Sequence, residues 1–273
     1  KNGMSKVILT HLDPKQILHP DDQSQLAWIR NHKGFETLLN KSVVKYQEMF
    51  SNVEYTGNGF EINENSLPQL HCQLVDACNV LGLEDIPKMS SFWEYFISSD
   101  SVGGKKNRII ITTGTIDLMD EKEIDFILGH EIGHIRCGHK PYQMLLELLY
   151  SPIINDVDQF NIASVIKLPL LDWYRVSHYS ADRMGLLCCQ DIDVALKAMI
   201  KMAGCPKRVY DNINIDAFIK QTEEFENYTK DFWTKLMKDF TIKAASMPWL
   251  VLRARKLLDW YNSGEYQRII DNA

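Results

Sequence analysis

The sequence predicts an α+β protein, mostly helical, with one small antiparallel sheet. Three observations carry that expectation. Apolar residues recur at helical spacing from Pro14 to about residue 50. Two stretches then break the pattern: Phe92–Ile97 is aromatic-rich, and Arg108–Thr115 is rich in β-branched residues, as strands are. From Asp120 onward the helical spacing returns and persists almost to the end.

The elements follow in order. Residues 14–50 read as two helices: Pro14 suits a first helical position after Asp13, and Leu26, Ile29, Phe35, Leu38 and Leu39 give the spacing, with Gly34 as a break. Residues 51–65 are polar and carry the turn Gly57-Asn58-Gly59. Ser66 opens a helix with the stripe Leu70, Leu74, Val75, Cys78 and Leu81, and Gly82 ends it. Phe92–Ile97 and Arg108–Thr115 form the strands, joined by the polar loop Ser98–Asn107. Asp120 and Glu123 make a capping box for a helix whose core face is Ile124, Ile127, Leu128, Ile132 and Ile135, closed by Gly138. Further helices are expected at about 141–150, 155–166, 168–189, 193–203, 214–228, 230–244 and 248–262. The chain divides into an N-terminal helical region, 1–65, able to cover a cleft or extend the core, and a domain spanning 66–273.

Composition narrows the function. The 273 residues are 45% hydrophobic and 24% charged, ordinary for a globular protein. A net charge of -6 argues against a nucleic-acid partner, which needs a basic face. No apolar run approaches the roughly 18 residues that cross a bilayer. The six cysteines include no C-x-x-C pair, so a zinc knuckle or a thioredoxin-type motif is not expected. No signal peptide is legible, and a cytoplasmic location is expected.

One run carries chemistry: His130-Glu131-Ile132-Gly133-His134. Histidines four apart on a helix share one face, one turn apart, as a tetrahedral zinc ion requires. Glu131 sits where its carboxylate can act as general base on a zinc-activated water. Gly129 and Gly133 each weaken an isolated helix by about 0.5–1 kcal/mol, which points to tight packing beside the ligands. A chance match on a surface helix is the competing explanation. The strand, short turn and capped amphipathic helix that lead into the motif oppose it. A third ligand must come from elsewhere. His178 and Asp182 are one turn apart on the helix expected at 168–189: His178 is the candidate metal ligand, and Asp182 the carboxylate that accepts the N–H of a ligand histidine. The alternative is a surface histidine with Asp182 in a helix salt bridge.

The run Ile109–His139, followed by Ala181-Asp182-Arg183, resembles the HtpX-like, CAAX-prenyl-protease-type zinc metallopeptidases, in particular bacterial members without transmembrane helices. Residues 190–204 and 248–257 also look like that group, and the likeness covers roughly 70–270. It implies a zincin-like fold with the sheet beside the H-E-x-x-H helix, one zinc ion per chain, and endopeptidase action on peptide or protein substrates. His130 and His134 would be ligands, Glu131 the base and Asp182 the supporting carboxylate. The strand Ile109–Thr113, with Ile109, Ile111 and Thr113, would be the edge along which a peptide lies extended. Two positions depart from the family pattern. His178 stands where the family has a glutamate ligand, and Met247 precedes Pro248 where the family has a histidine thought to steady the oxyanion. Methionine donates no hydrogen bond, and loss of such a donor costs about 100- to 1000-fold in rate. Arg253, Arg175, Tyr179 and His139 are candidate replacements. These departures motivate the alternative of a catalytically silent, zinc-stabilised binding protein of the same fold.

Overall fold

The computed structural model describes residues 5–40, 57–103, 106–150, 161–225, 227 and 249–273. The helices expected at 155–166 and 230–244 lie partly or wholly outside these residues, as do Met247 and Pro248.

Strands β1 (Phe60–Ile62), β2 (Lys88–Phe92), β3 (Ser99–Val102) and β4 (Arg108–Thr112) form one sheet in the order β1-β2-β4-β3. The sheet is mixed: β4 runs parallel to β2 and antiparallel to β3. The fold class is as expected, but the purely antiparallel sheet is not. The chain leaves β2, passes the place that β4 will fill, and returns along the outer edge as β3. All five residues of β4 are buried. That near-continuous apolar run is the mark of an interior strand. Ile109 and Ile111 therefore lie at the centre of the sheet, and Thr113 starts a helix. None of them forms an edge; β3 does.

The aromatic run, too, lies mostly outside the sheet. Only Phe92 of Phe92–Ile97 is in a strand, and Trp93 stands 81% exposed. Strand propensity measures fit to a half-buried pleated surface, and these rings have none to fit. The polar stretch taken as loop contains β3, whose serines are turned to a buried carboxylate rather than to water.

The helices are α1 (Pro20–Arg30), α2 (Pro68–Val80), α3 (Thr113–Leu118), α4 (Glu121–Arg136), α5 (Lys140–Tyr150), α6 (Asn161–Cys189), α7 (Ile192–Met202) and α8 (Leu250–Asn262); α2 to α5 make the main contacts with the sheet, and the others pack chiefly on helices. The expected capping box closes on α4: the Glu123 amide donates to Asp120 Oδ1, and the Asp120 amide to Glu123 Oε2. Gly138 follows at φ 69°, a left-handed position that glycine takes without steric cost. Helix α6 runs unbroken through Pro169, where two helices were expected. Proline removes one helical hydrogen bond. The buried Ile166, Leu170 and Leu171 hold the helix together across it.

Helices α4 and α6 form the most extensive helix pair. A β-carbon on Gly133 would lie 2.8 Å from Met184 Cβ and 3.0 Å from Ala181 Cα. The absence of side chains on α4 lets the two backbones approach, as the glycine pattern foretold. One large core cluster joins α2, α4, α7 and α8 with Leu9, Leu12 and Ile17 from the N-terminal residues; a second gathers Ile29, Phe35 and Leu38 with Leu145, Leu170 and Trp173. The described part of the N-terminal region thus extends the core.

Candidate metal centre

The close α4–α6 pair brings the predicted ligands together. His130 Nε2, His134 Nε2 and His178 Nδ1 converge, separated by 3.1, 3.2 and 3.3 Å. Three nitrogens held by one tetrahedral ion at about 2.0–2.1 Å stand about 3.3–3.4 Å apart. The trio fits that requirement, and it is the one such group of histidine, cysteine and carboxylate side chains among the described residues. All three rings are buried. Burial drives the His134 and His178 imidazoles well below the ordinary histidine range; neighbouring histidines reinforce the effect at His134, and Arg253 then His130 at His178. Neutral rings offer lone pairs, the form a metal binds.

The surroundings orient two of the three rings. Asp182 Oδ1 lies 2.8 Å from His130 Nδ1, as expected, which leaves Nε2 facing the trio. Arg253 on α8 clamps Asp182 with two bonds, Nε to Oδ2 at 2.8 Å and Nη2 to Oδ1 at 2.6 Å. Burial alone would raise the Asp182 pKa, but Arg253 and then His130 outweigh it and hold the carboxyl below its usual range. Arg253 is thus committed to Asp182, while its buried Nη1 has no hydrogen-bond partner. His134 Nδ1 meets His139 Nδ1 at 2.9 Å and Gln143 Nε2 at 3.1 Å.

Glu131 lies beside the trio, 2% exposed. Ser99 Oγ donates to its Oε1 at 2.6 Å and Ser101 Oγ to its Oε2 at 2.7 Å. Both serines belong to β3. The motif gave no hint of these partners, although the spacing Ser99-x-Ser101 puts two hydroxyls on one strand face. Thr112 N donates to Ser98 O, so on alternate residues β3 bonds β4, and Ser99 and Ser101 turn their backbone groups to the outer edge, where the Ser101 amide donates to Asp100 Oδ1 at 2.7 Å. A cavity of about 240 Å³ opens between this edge and the histidines, lined also by Tyr174, Gln143 and Arg253.

A helical pair of histidines with an adjacent glutamate, a third histidine from a second helix and a strand edge alongside define a metallopeptidase, and the comparisons with known proteins agree. The model of peptidase family M48 matches residues 90–261, more than half of the chain, and the protein belongs to that family. It is 26% identical over 279 residues to the plastoglobule-localized metallopeptidase 48, chloroplastic, of Arabidopsis thaliana, a match covering 98% of this chain and 78% of that protein. It is 27% identical over 148 residues to a protease HtpX homolog of Methanothermobacter thermautotrophicus, covering 49% of this chain and 56% of that protein. No solved structure matches the chain. None of the helices in the described residues is long and apolar enough to cross a membrane.

Proposed function

We propose that the protein is a zinc-dependent endopeptidase in which His130, His134 and His178 hold one zinc ion and Glu131 is the general base. The observation that carries this reading is the convergence of three buried imidazole nitrogens beside a buried carboxylate, at a strand edge able to receive a peptide. Zinc held there supplies Lewis acidity, which polarises the scissile carbonyl and acidifies water. The chain's own groups do the rest. A substrate strand adds to β3 through the outward backbone groups of Ser99 and Ser101. Glu131 takes a proton from the attacking water and passes it to the leaving amine. Asp182 keeps the His130 proton on Nδ1, so that Nε2 stays free to bind. The ligand set carries no carboxylate, so the net charge at the metal is one unit more positive than with a glutamate ligand.

The reading is tested by metal analysis together with cleavage of a peptide library. Wild type is expected to carry one zinc per chain and to cleave until a chelator is added. Glu131→Gln should keep the zinc and lose at least 1000-fold in kcat, while His178→Ala should lose the zinc. Zinc-loaded wild type that cleaves no peptide would leave the silent binding protein as the better account.

A further inference from the structure

Behind His134 lies a chain of polar contacts that the peptidase chemistry does not by itself require. His134 Nδ1 faces His139 Nδ1 at 2.9 Å. The opposite nitrogen of His139, Nε2, lies 3.0 Å from Asp22 Oδ2, a bent approach with no other partner. Asp22 is on α1 and 1% exposed. Its Oδ1 accepts from Trp173 Nε1 at 2.8 Å and its Oδ2 from Ser180 Oγ at 2.6 Å; both donors are on α6. Ser180 in turn accepts from the His19 amide at 2.9 Å. Burial would raise the Asp22 pKa, but contact with His139 and the bonds from Ser180 and Trp173 hold the carboxyl below its usual range.

We propose that Asp22 is a positioning residue for the metal centre, acting through His139 to keep the His134 proton on Nδ1 and Nε2 bare. The inference rests on the reading that His134 holds the metal. Two neighbours of His134 Nδ1 pull in opposite directions. The Gln143 amide nitrogen, whose oxygen is committed to Lys140 Nζ at 2.6 Å, can only donate, which favours a bare Nδ1 and a protonated Nε2. That tautomer cannot bind a metal through Nε2. A carboxylate can only accept, so in the neutral ring of His139 Asp22 draws the proton to Nε2. His139 Nδ1 is then an acceptor, and His134 must present Nδ1–H to it. The carboxylate therefore decides the contest, across two rings and from a helix that precedes the family match at residues 90–261. His130 is governed by Asp182 on α6, and His134 by Asp22 on α1.

Asp22→Asn keeps the size and reverses the logic. The amide oxygen stays on the Trp173 N–H, which turns the NH2 toward Ser180 and His139 Nε2. His139 then carries its proton on Nδ1, and His134 is left with Nε2–H. The test uses the full chain, stripped and reloaded, with zinc affinity read by competition against a chromophoric chelator and the ligand field by cobalt absorption. Asp22→Asn is expected to weaken zinc binding about 10- to 100-fold, the range for loss of a partner that orients a ligand, and to shift the cobalt bands. In a His139→Gln background the relay is cut, because the amide oxygen can accept from His134 on its own, so Asp22→Asn should change affinity less than twofold. Equal losses in both backgrounds, or an unchanged affinity with lowered thermal stability, would show a mere buttress and overturn the proposal. A measurement on wild type makes the test independent of variant folding: nitrogen NMR of the metal-free chain should find His134 as the Nδ1–H tautomer, and the Nε2–H form would overturn it. Wild type that binds no zinc, with His130→Ala indistinguishable from it, would instead remove the metal-site reading itself.

Discussion

At the scale of single residues, Glu131 is held as firmly as the histidines. Each carboxylate oxygen receives one serine hydroxyl from β3, at 2.6 and 2.7 Å. Hydrogen bonds to an ionised group contribute about 1.5–3 kcal/mol each. The two serines thus fix where the Glu131 carboxylate, the proposed base, points, and they sit on the strand whose edge is proposed to receive the substrate. Peptide docking and base orientation are then coupled through two adjacent side chains. Replacing both, Ser99→Ala with Ser101→Ala, should lower kcat about 10- to 100-fold at unchanged zinc content, with KM altered less than threefold. A larger effect on KM than on kcat would assign the serines to substrate binding alone.

At the scale of elements, the site is a property of one helix pair. Neither α4 nor α6 holds all three proposed ligands; His130 and His134 come from the first and His178 from the second. Their nitrogens reach 3.1–3.3 Å separation because Gly129 and Gly133 let the backbones close. Gly133→Ala would place a methyl group 2.8 Å from Met184 Cβ. Overpacking of this kind costs about 1–3 kcal/mol, against a gain of about 1 kcal/mol in helix propensity. The substitution should therefore lower the melting temperature and also weaken zinc affinity, since the helices must part along the line that separates the ligands. Calorimetry of the metal-free and zinc-loaded protein checks both effects. Unchanged zinc affinity in a destabilised variant would show that the centre tolerates the shift.

At the scale of the whole molecule, the N-terminal residues are tied in far from their place in sequence. Leu9 N bonds Val80 O, Arg183 Nη1 reaches Ile17 O at 3.1 Å, and Asp22 meets Trp173 and Ser180. His19 caps α1, its Nδ1 accepting from the Asp21 amide at 3.2 Å. Only an unprotonated Nδ1 can accept. Burial, and then the Arg183 charge, lower the His19 pKa from 6.5 to about 4. The unfolded chain therefore binds this proton at a higher pH than the folded one does. The stabilisation is complete above pH 6.5 and is lost as the pH falls toward about 4. Discounted for solvent screening, the loss attributable to His19 is about 1–2 kcal/mol. His19→Asn retains a cap without a titrating group, so the gap in stability between pH 7 and pH 4.5 should narrow by that amount in denaturant titrations. A gap equal to that of wild type would place the acid sensitivity elsewhere.

The sequence by itself determined the motif helix, its Asp120 cap, the pairing of His178 with Asp182 one turn apart, and the helical character of most of the chain. These are local matters: spacing along a helix, capping chemistry, and a short list of residue types able to hold a metal. The tertiary structure alone decided which strand is the edge, that Trp93 to Phe96 stand outside the sheet, that Ser99 and Ser101 meet Glu131, and that Asp22 meets His139. β4 could not be known as interior until β3 was seen beside it, because an apolar run reads alike at the centre of a sheet and at its rim. The polar residues of β3 look like loop in sequence and become strand only when a buried carboxylate satisfies them. Asp22 is separated from His139 by more than a hundred residues, and no periodicity links them. Packing brought them within 3.0 Å.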